Sequence, residues 1–190
     1  MDTKSLIIDI ATKLFQKQGY TGTGLNEILK LGHLTKGALY HHFPGGKEEL
    51  LLACIRSLHE AIAEDIESIF ERQPTTAEAI GAVLDRLIFL YETEGTIAGY
   101  TISSVVSGID TLSDPVRRAC AQLYVEMQGI FRRRLAEDGL AAEKASSLAL
   151  MVNASLEGGI VLCLTTQSTE PLLAIKQWLP TMIKELESSE

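Results

Sequence analysis

A chain of 190 residues with 46% hydrophobic and 22% charged residues has enough apolar material for one large core or for a small head and a larger body. Its net charge of -8 argues against a uniformly basic nucleic-acid binder, yet the charge is uneven: residues 1–50 hold six lysines, no arginine and five acids, so the excess acid lies downstream. Cys54, Cys120 and Cys163 are odd in number, far apart and set among apolar residues, which suits buried thiols in a reducing cytoplasm and offers neither a disulfide framework nor zinc spacing.

Asp2, Lys4 and Asp9 stand where a secretory leader would be apolar, so no signal peptide is expected. Instead Leu6, Ile7, Ile10, Ala11, Leu14 and Phe15 recur at three- and four-residue spacing and predict an amphipathic helix over 3–18. Gly19 ends it in a left-handed conformation, with Tyr20 folding back onto Phe15. Thr23 is the expected N-cap of a short second helix carrying Leu25, Ile28, Leu29 and Leu31, and Gly32-His33 makes the turn into a third. Thr35 caps that third helix. Leu39 and Phe43 then lie one turn apart on its inner face, leaving Lys36, Tyr40 and His41 on an outward stripe beside the small Gly37 and Ala38. Three helices with a tight second turn read as a helix-turn-helix head, and the third as a DNA-recognition helix.

The run from Gly19-Tyr20 through Thr23, Ile28, Lys36-Gly37 and Leu39-Tyr40-His41-His42-Phe43-Pro44 to Lys47-Glu48-Glu49-Leu50 resembles the TetR family of one-component transcriptional repressors. Paired glycines, Gly45-Gly46, add one residue before Lys47 and, with Glu157-Gly158-Gly159 in a late apolar helix, are similar to the LmrA/YxaF-like branch. One departure is His33, which stands where the family usually has its turn glycine, with Gly32 one place earlier. Histidine tolerates the left-handed region better than most residues, so the turn is expected to survive.

Downstream of Lys47 a long fourth helix runs to about Arg72, and Gln73-Pro74-Thr75-Thr76 ends it and caps a fifth over 76–93. Gly95, Gly99 and Gly108 loosen the segment up to Asp110. Asp114-Pro115 starts a helix over 115–137, followed by helices over 141–166 and 171–187, the last interrupted at Pro180. Residues 148–164 are apolar enough to suggest a membrane span, but Asn153, Ser155 and Glu157 break the run at mid-length, so no membrane partner is expected. With no alternating run long enough for a sheet, the expectation is an all-α fold of about nine helices: a head over 1–46 and an effector-binding and dimerisation domain over 47–190.

The expected function is a cytoplasmic repressor that binds a palindromic double-stranded operator as a homodimer. Lys36 and His41 are assigned to base edges, Gly37 and Ala38 to close approach, and Thr23, Tyr40 and Lys47 to phosphates, with Thr35 at the helix cap. The resemblance implies a small-molecule effector bound among the middle helices and relayed through the fourth. Phe89, Tyr91, Tyr100, Tyr124, Met127 and Phe131, with Asn153 as polar anchor, are the candidates, and they point to an apolar or aromatic compound. Leu172, Ile175, Leu179, Met182 and Leu186 form a seam-like stripe; Ile175, Leu179, Met182 and Leu186 with Leu156 and Ile160 are assigned to a four-helix dimer interface, the alternative being intrachain core. A thiol-triggered repressor is the second reading. An all-α enzyme is the third and weakest, since no nucleophile elbow, phosphate loop, HExxH or paired Glu-x-x-His is present; no metal or cofactor is expected.

Overall fold

The computed structural model of the chain describes residues 2–97 and 113–188. Among these, all regular structure is helical: α1 (Thr3–Gly22), α2 (Leu25–Leu31), α3 (Lys36–His42), α4 (Gly46–Glu71), α5 (Thr76–Glu94), α6 (Asp114–Glu137), α7 (Ala142–Thr166) and α8 (Glu170–Glu187). Eight helices are thus seen among the described residues, against the nine or so expected.

Two compact units are formed, one by residues 2–61 and 113–123, the other by 62–97 and 124–188, so α4 and α6 each supply residues to both. In the first unit Ile7, Ala11, Leu14 and Phe15 of α1 make the buried face against which α2 and α3 pack, through Ile28, Leu29 and Leu39. Asp2 caps α1 by accepting from Ser5 N at 2.7 Å. Gly19 interrupts α1 at φ 72°, ψ 168°, a positive-φ geometry that is extended in ψ rather than left-handed helical, and Tyr20 folds back to place its ring 5.8 Å from that of Phe15.

The turn between α2 and α3 keeps its shape with a histidine in the glycine position. His33 takes φ 51°, Leu34 N donates to Leu29 O at 2.9 Å and His33 N to Lys30 O at 3.3 Å, the paired bonds of a Schellman ending. Gly32 is needed for a different reason: a Cβ there would lie 2.8 Å from Leu34 Cδ1 and 3.1 Å from Ile10 Cδ1.

In the second unit α8 packs on α5 and α7. The N-terminus of α5 is capped twice, by the Thr75 hydroxyl accepting from Glu78 N at 3.3 Å and by the Asp138 carboxylate accepting from Thr76 N at 2.6 Å. α8 runs through Pro180 without ending, and Pro180 faces Gly81 of α5, where a Cβ would lie in ordinary contact 4.0 Å from Pro180 Cγ. By length and composition α7 is apolar enough to cross a membrane, yet Ala145, Leu148, Ala149, Val152, Leu156, Ile160 and Cys163 line a buried face at helical spacing, as in a core helix.

Candidate nucleic-acid interface

α3 is two turns long and is set by its ends. The Thr35 hydroxyl accepts from Ala38 N at 3.2 Å, and Phe43 N donates to Leu39 O at 2.8 Å. Leu39 and Phe43 are buried, whereas Lys36, Gly37 and His41 are exposed and Tyr40 is 49% exposed, so the outward stripe is the one the spacing predicts. The His41 ring meets that of His42 edge-on at 5.0 Å. Beside α3, a groove of about 230 Å³ is lined by Gly24, Leu25, Asn26, Leu29, Lys36, Leu39 and Tyr40. Asn26, not singled out from the sequence, is exposed in the first turn of α2 and lines this groove, a position that depends on how α2 and α3 pack.

Thr23 requires correction. It does not cap α2, whose N-cap is Gly24 without a side-chain bond; it ends α1, is 1% exposed, and donates its hydroxyl to Gly19 O at 2.9 Å. That hydroxyl is committed to closing the α1 turn, so the phosphate contact assigned to it has no free group on this side chain.

Lys47 lies in the first turn of α4, after Gly46 at φ 69° and a turn pinned by Gly45 N donating to Glu49 Oε2 at 2.7 Å. Its Nζ stands 4.3 Å from the centroid of the Tyr20 ring. Burial holds the Lys47 ammonium below its usual pKa; burial, and then the charge of Glu48, raises that of the Tyr20 phenol. Glu48 accepts from the Ser113 hydroxyl at 2.6 Å, a bond joining the first turn of α4 to the residue that precedes α6.

The expected effector residues scatter. Phe89 is 56% exposed on α5, and Phe131 is fully buried with its ring 5.9 Å from that of Phe70. Met127 and Asn153 are buried, Tyr91 and Tyr124 half-buried, and Tyr100 lies outside the described residues.

The seam on α8 is largely consumed within the chain. Leu172 and Leu179 are buried, as are Leu156 and Ile160 of α7, and a Cβ on Gly159 would lie 2.7 Å from Ile175 Cδ1 and 2.9 Å from Leu172 Cδ2. Leu156 and Ile160 therefore lie in the core of the chain, because α8 turns much of its stripe toward α5 and α7, while Leu179, 5% exposed, also borders an open groove. Leu186 is half-buried. Ile175, Leu179 and Met182 do reach an open apolar groove of about 580 Å³, shared with Met151, Ser155, Ala174, Trp178, Thr181 and Glu185. Leu150, Met151, Val161, Leu162, Leu173 and Trp178 are exposed on the same two helices, and a Cβ at Gly158 would meet nothing within 4 Å.

A short exposed helix, held by a tight turn to the one before it and braced on a third, defines a helix-turn-helix DNA-binding protein. The comparisons narrow this. The sequence model of the tetR family of bacterial regulatory proteins matches residues 7–54, and that of the LmrA/YxaF-like transcriptional regulator C-terminal domain matches 76–178. The chain is 37% identical to the transcriptional regulator LmrA of Bacillus subtilis, over 96% of this chain and 97% of that one. It is 33% identical to the regulator YxaF of the same organism, over 97% and 96%. Among solved structures, a TetR regulator from Legionella pneumophila is similar with a TM-score of 0.82 at 22% identity, covering 96% of this chain and 97% of that one. The reduced form of Escherichia coli NemR is similar at 0.79 and 20%, covering 98% and 97%. The chain belongs to the TetR family of transcriptional regulators, in its LmrA/YxaF-like branch.

Proposed function

We propose that the protein is a cytoplasmic, ligand-responsive repressor that binds a palindromic operator as a homodimer and is released by a small apolar or aromatic effector. The carrying observation is the exposed stripe of Lys36, Tyr40 and His41 on a capped helix, with Gly37 and Ala38 between them too small to obstruct a major groove. Lys36 and His41 read base edges. Tyr40, Lys47 and Asn26 hold phosphates and set register, and Thr35 fixes the helix start. Functionally, residues 1–46 form the DNA-binding domain and 47–190 the effector-binding and dimerisation domain.

The second copy covers the open face of α7 and α8, where Met151, Ser155, Gly158, Trp178 and Met182 meet their counterparts across a two-fold axis. The effector candidates are Phe89, Tyr91, Tyr124, Met127, Phe131 and Asn153, with Tyr100 outside the described residues. The bond from Ser113 to Glu48 supports a relay, since it ties the start of α6 to the residue beside Lys47. The thiol-triggered reading loses support, because all three cysteines are buried and burial raises each thiol's pKa, Cys54 to about 12.

Selection of duplexes from a random pool, followed by footprinting, tests the DNA half: the expected product is a palindrome protected on two half-sites about one helical turn apart. Thermal-shift screening of planar aromatic compounds, then titration of the selected duplex with each hit, tests the other half. Linkage requires that a true effector weaken DNA binding, typically by about 5- to 150-fold, and that DNA weaken the effector by the same factor. Hits that stabilise the protein yet leave duplex affinity unchanged would count against the effector reading.

A further inference from the structure

We propose that Tyr20 is a positioning residue for DNA binding: the face of its ring holds the Lys47 ammonium where it meets a phosphate, an inference that rests on the reading of Lys47 as a phosphate ligand. Lys47 is the second residue of α4, and a helix N-terminus is the positive end of the dipole, which disfavours a cation. Among the described residues no carboxylate pairs with it. What holds it instead is the ring beneath Nζ, 4.3 Å from the centroid, the geometry in which an aromatic quadrupole attracts an ammonium.

The ring is itself fixed. Gly19 turns the chain at φ 72°, and Tyr20 then packs 5.8 Å from the ring of Phe15, which is wholly buried. The support under Lys47 is therefore anchored in the core of the head through α1. A lysine stem has four rotatable bonds, and restraining it in the free protein lowers the ordering entropy that DNA binding would otherwise have to supply. The consequence is that the first helix, through Tyr20, sets the strength of a contact made by the fourth.

The test uses mixed-sequence duplex DNA, because a phosphate contact needs no operator, and compares the full-length wild type with Tyr20→Phe, Tyr20→Leu, Lys47→Ala and the Tyr20→Leu/Lys47→Ala pair. Tyr20→Phe keeps the ring face and should bind within about twofold of wild type, while Tyr20→Leu should bind about 2- to 5-fold more weakly per subunit. In the Lys47→Ala background Tyr20→Leu should cost nothing more. An equal loss in both backgrounds would overturn the proposal, leaving Tyr20 as packing only. Lys47→Ala without effect on affinity or salt slope would instead overturn the phosphate reading and the proposal with it. A second measurement needs no DNA: the Lys47 ε-methylene protons should be shifted upfield by the ring current in wild type and Tyr20→Phe and not in Tyr20→Leu. Absence of that shift in the wild type would overturn the proposal whatever the titrations gave.

Discussion

In the proposed function Lys36 and Lys47 make two different kinds of DNA contact. Lys36 stands at the start of α3 in the groove shared with Asn26 and Tyr40, so its loss should alter which sequence is preferred. We expect Lys36→Ala to reduce discrimination between the selected duplex and single-base variants by about 1–3 kcal/mol at the affected position, read by competitive titration. Lys47→Ala should weaken all duplexes alike and flatten the log-log salt dependence by roughly one unit per lost contact. The thiols yield a third expectation. Because burial keeps Cys54, Cys120 and Cys163 protonated well past neutral pH, a disulfide reagent at mildly alkaline pH should label none of them in the native protein and all after denaturation, and peroxide should leave duplex affinity unchanged. Rapid native labelling would restore the thiol trigger. The outward set on α3 was legible in the sequence because a capped two-turn helix has only one apolar pair to bury. Thr23 was not, since threonine before a helix caps it or closes the preceding turn with the same hydroxyl, and the choice depends on Gly19, whose ψ the sequence does not state.

The turn between α2 and α3 shows two neighbouring residues under opposite demands. Gly32 has ordinary negative φ but no room for a Cβ, whereas His33 has room and an unfavourable φ. Gly32→Ala should therefore destabilise the head by about 1–3 kcal/mol through forced displacement of Leu34 and Ile10. His33→Gly relieves left-handed strain but adds unfolded-state entropy, and its net effect should lie within about 1 kcal/mol of zero. Thermal or urea unfolding of the two variants checks both; a silent Gly32→Ala would show that the turn can open. The ends of α4 to α8 were legible to within a residue, because caps and three-four spacing act locally, whereas α1 runs on past Gly19 to Gly22. The partner of each apolar stripe was not. The seam at Leu172, Ile175, Leu179 and Met182 has one spacing whether it faces α5 and α7 of its own chain or a second copy, and periodicity carries a direction only relative to a neighbour. For Phe89 and Phe131 the same holds: a helical aromatic declares that some face is apolar, not whether a cavity lies beside it.

For the molecule as a whole, charge and assembly act together. The acidic excess beyond residue 50 lowers nonspecific attraction to DNA, and in the proposed homodimer affinity then depends on presenting two heads at once. Assembly should fail selectively. Trp178→Glu places a charge on the open face of α8 and should give a folded monomer by sedimentation, with near wild-type helicity and much reduced duplex affinity, whereas Leu179→Glu puts the charge on a 5% exposed side chain at the floor of that groove and should cost fold stability as well as assembly. A Trp178→Glu protein that still sedimented as a dimer would move the interface elsewhere.

Trp178 is also the chain's single tryptophan, 67% exposed in the protomer and seated on the groove assigned to the partner. One indole per chain at the contact means that ultraviolet emission reports a single event without any label. Dilution should shift that emission to longer wavelength as the indole enters water, and the concentration at half-shift gives the dissociation constant of the pair. The same signal, followed during rapid dilution, would give the lifetime of the assembled regulator, and hence whether subunits exchange within the time a promoter stays silent.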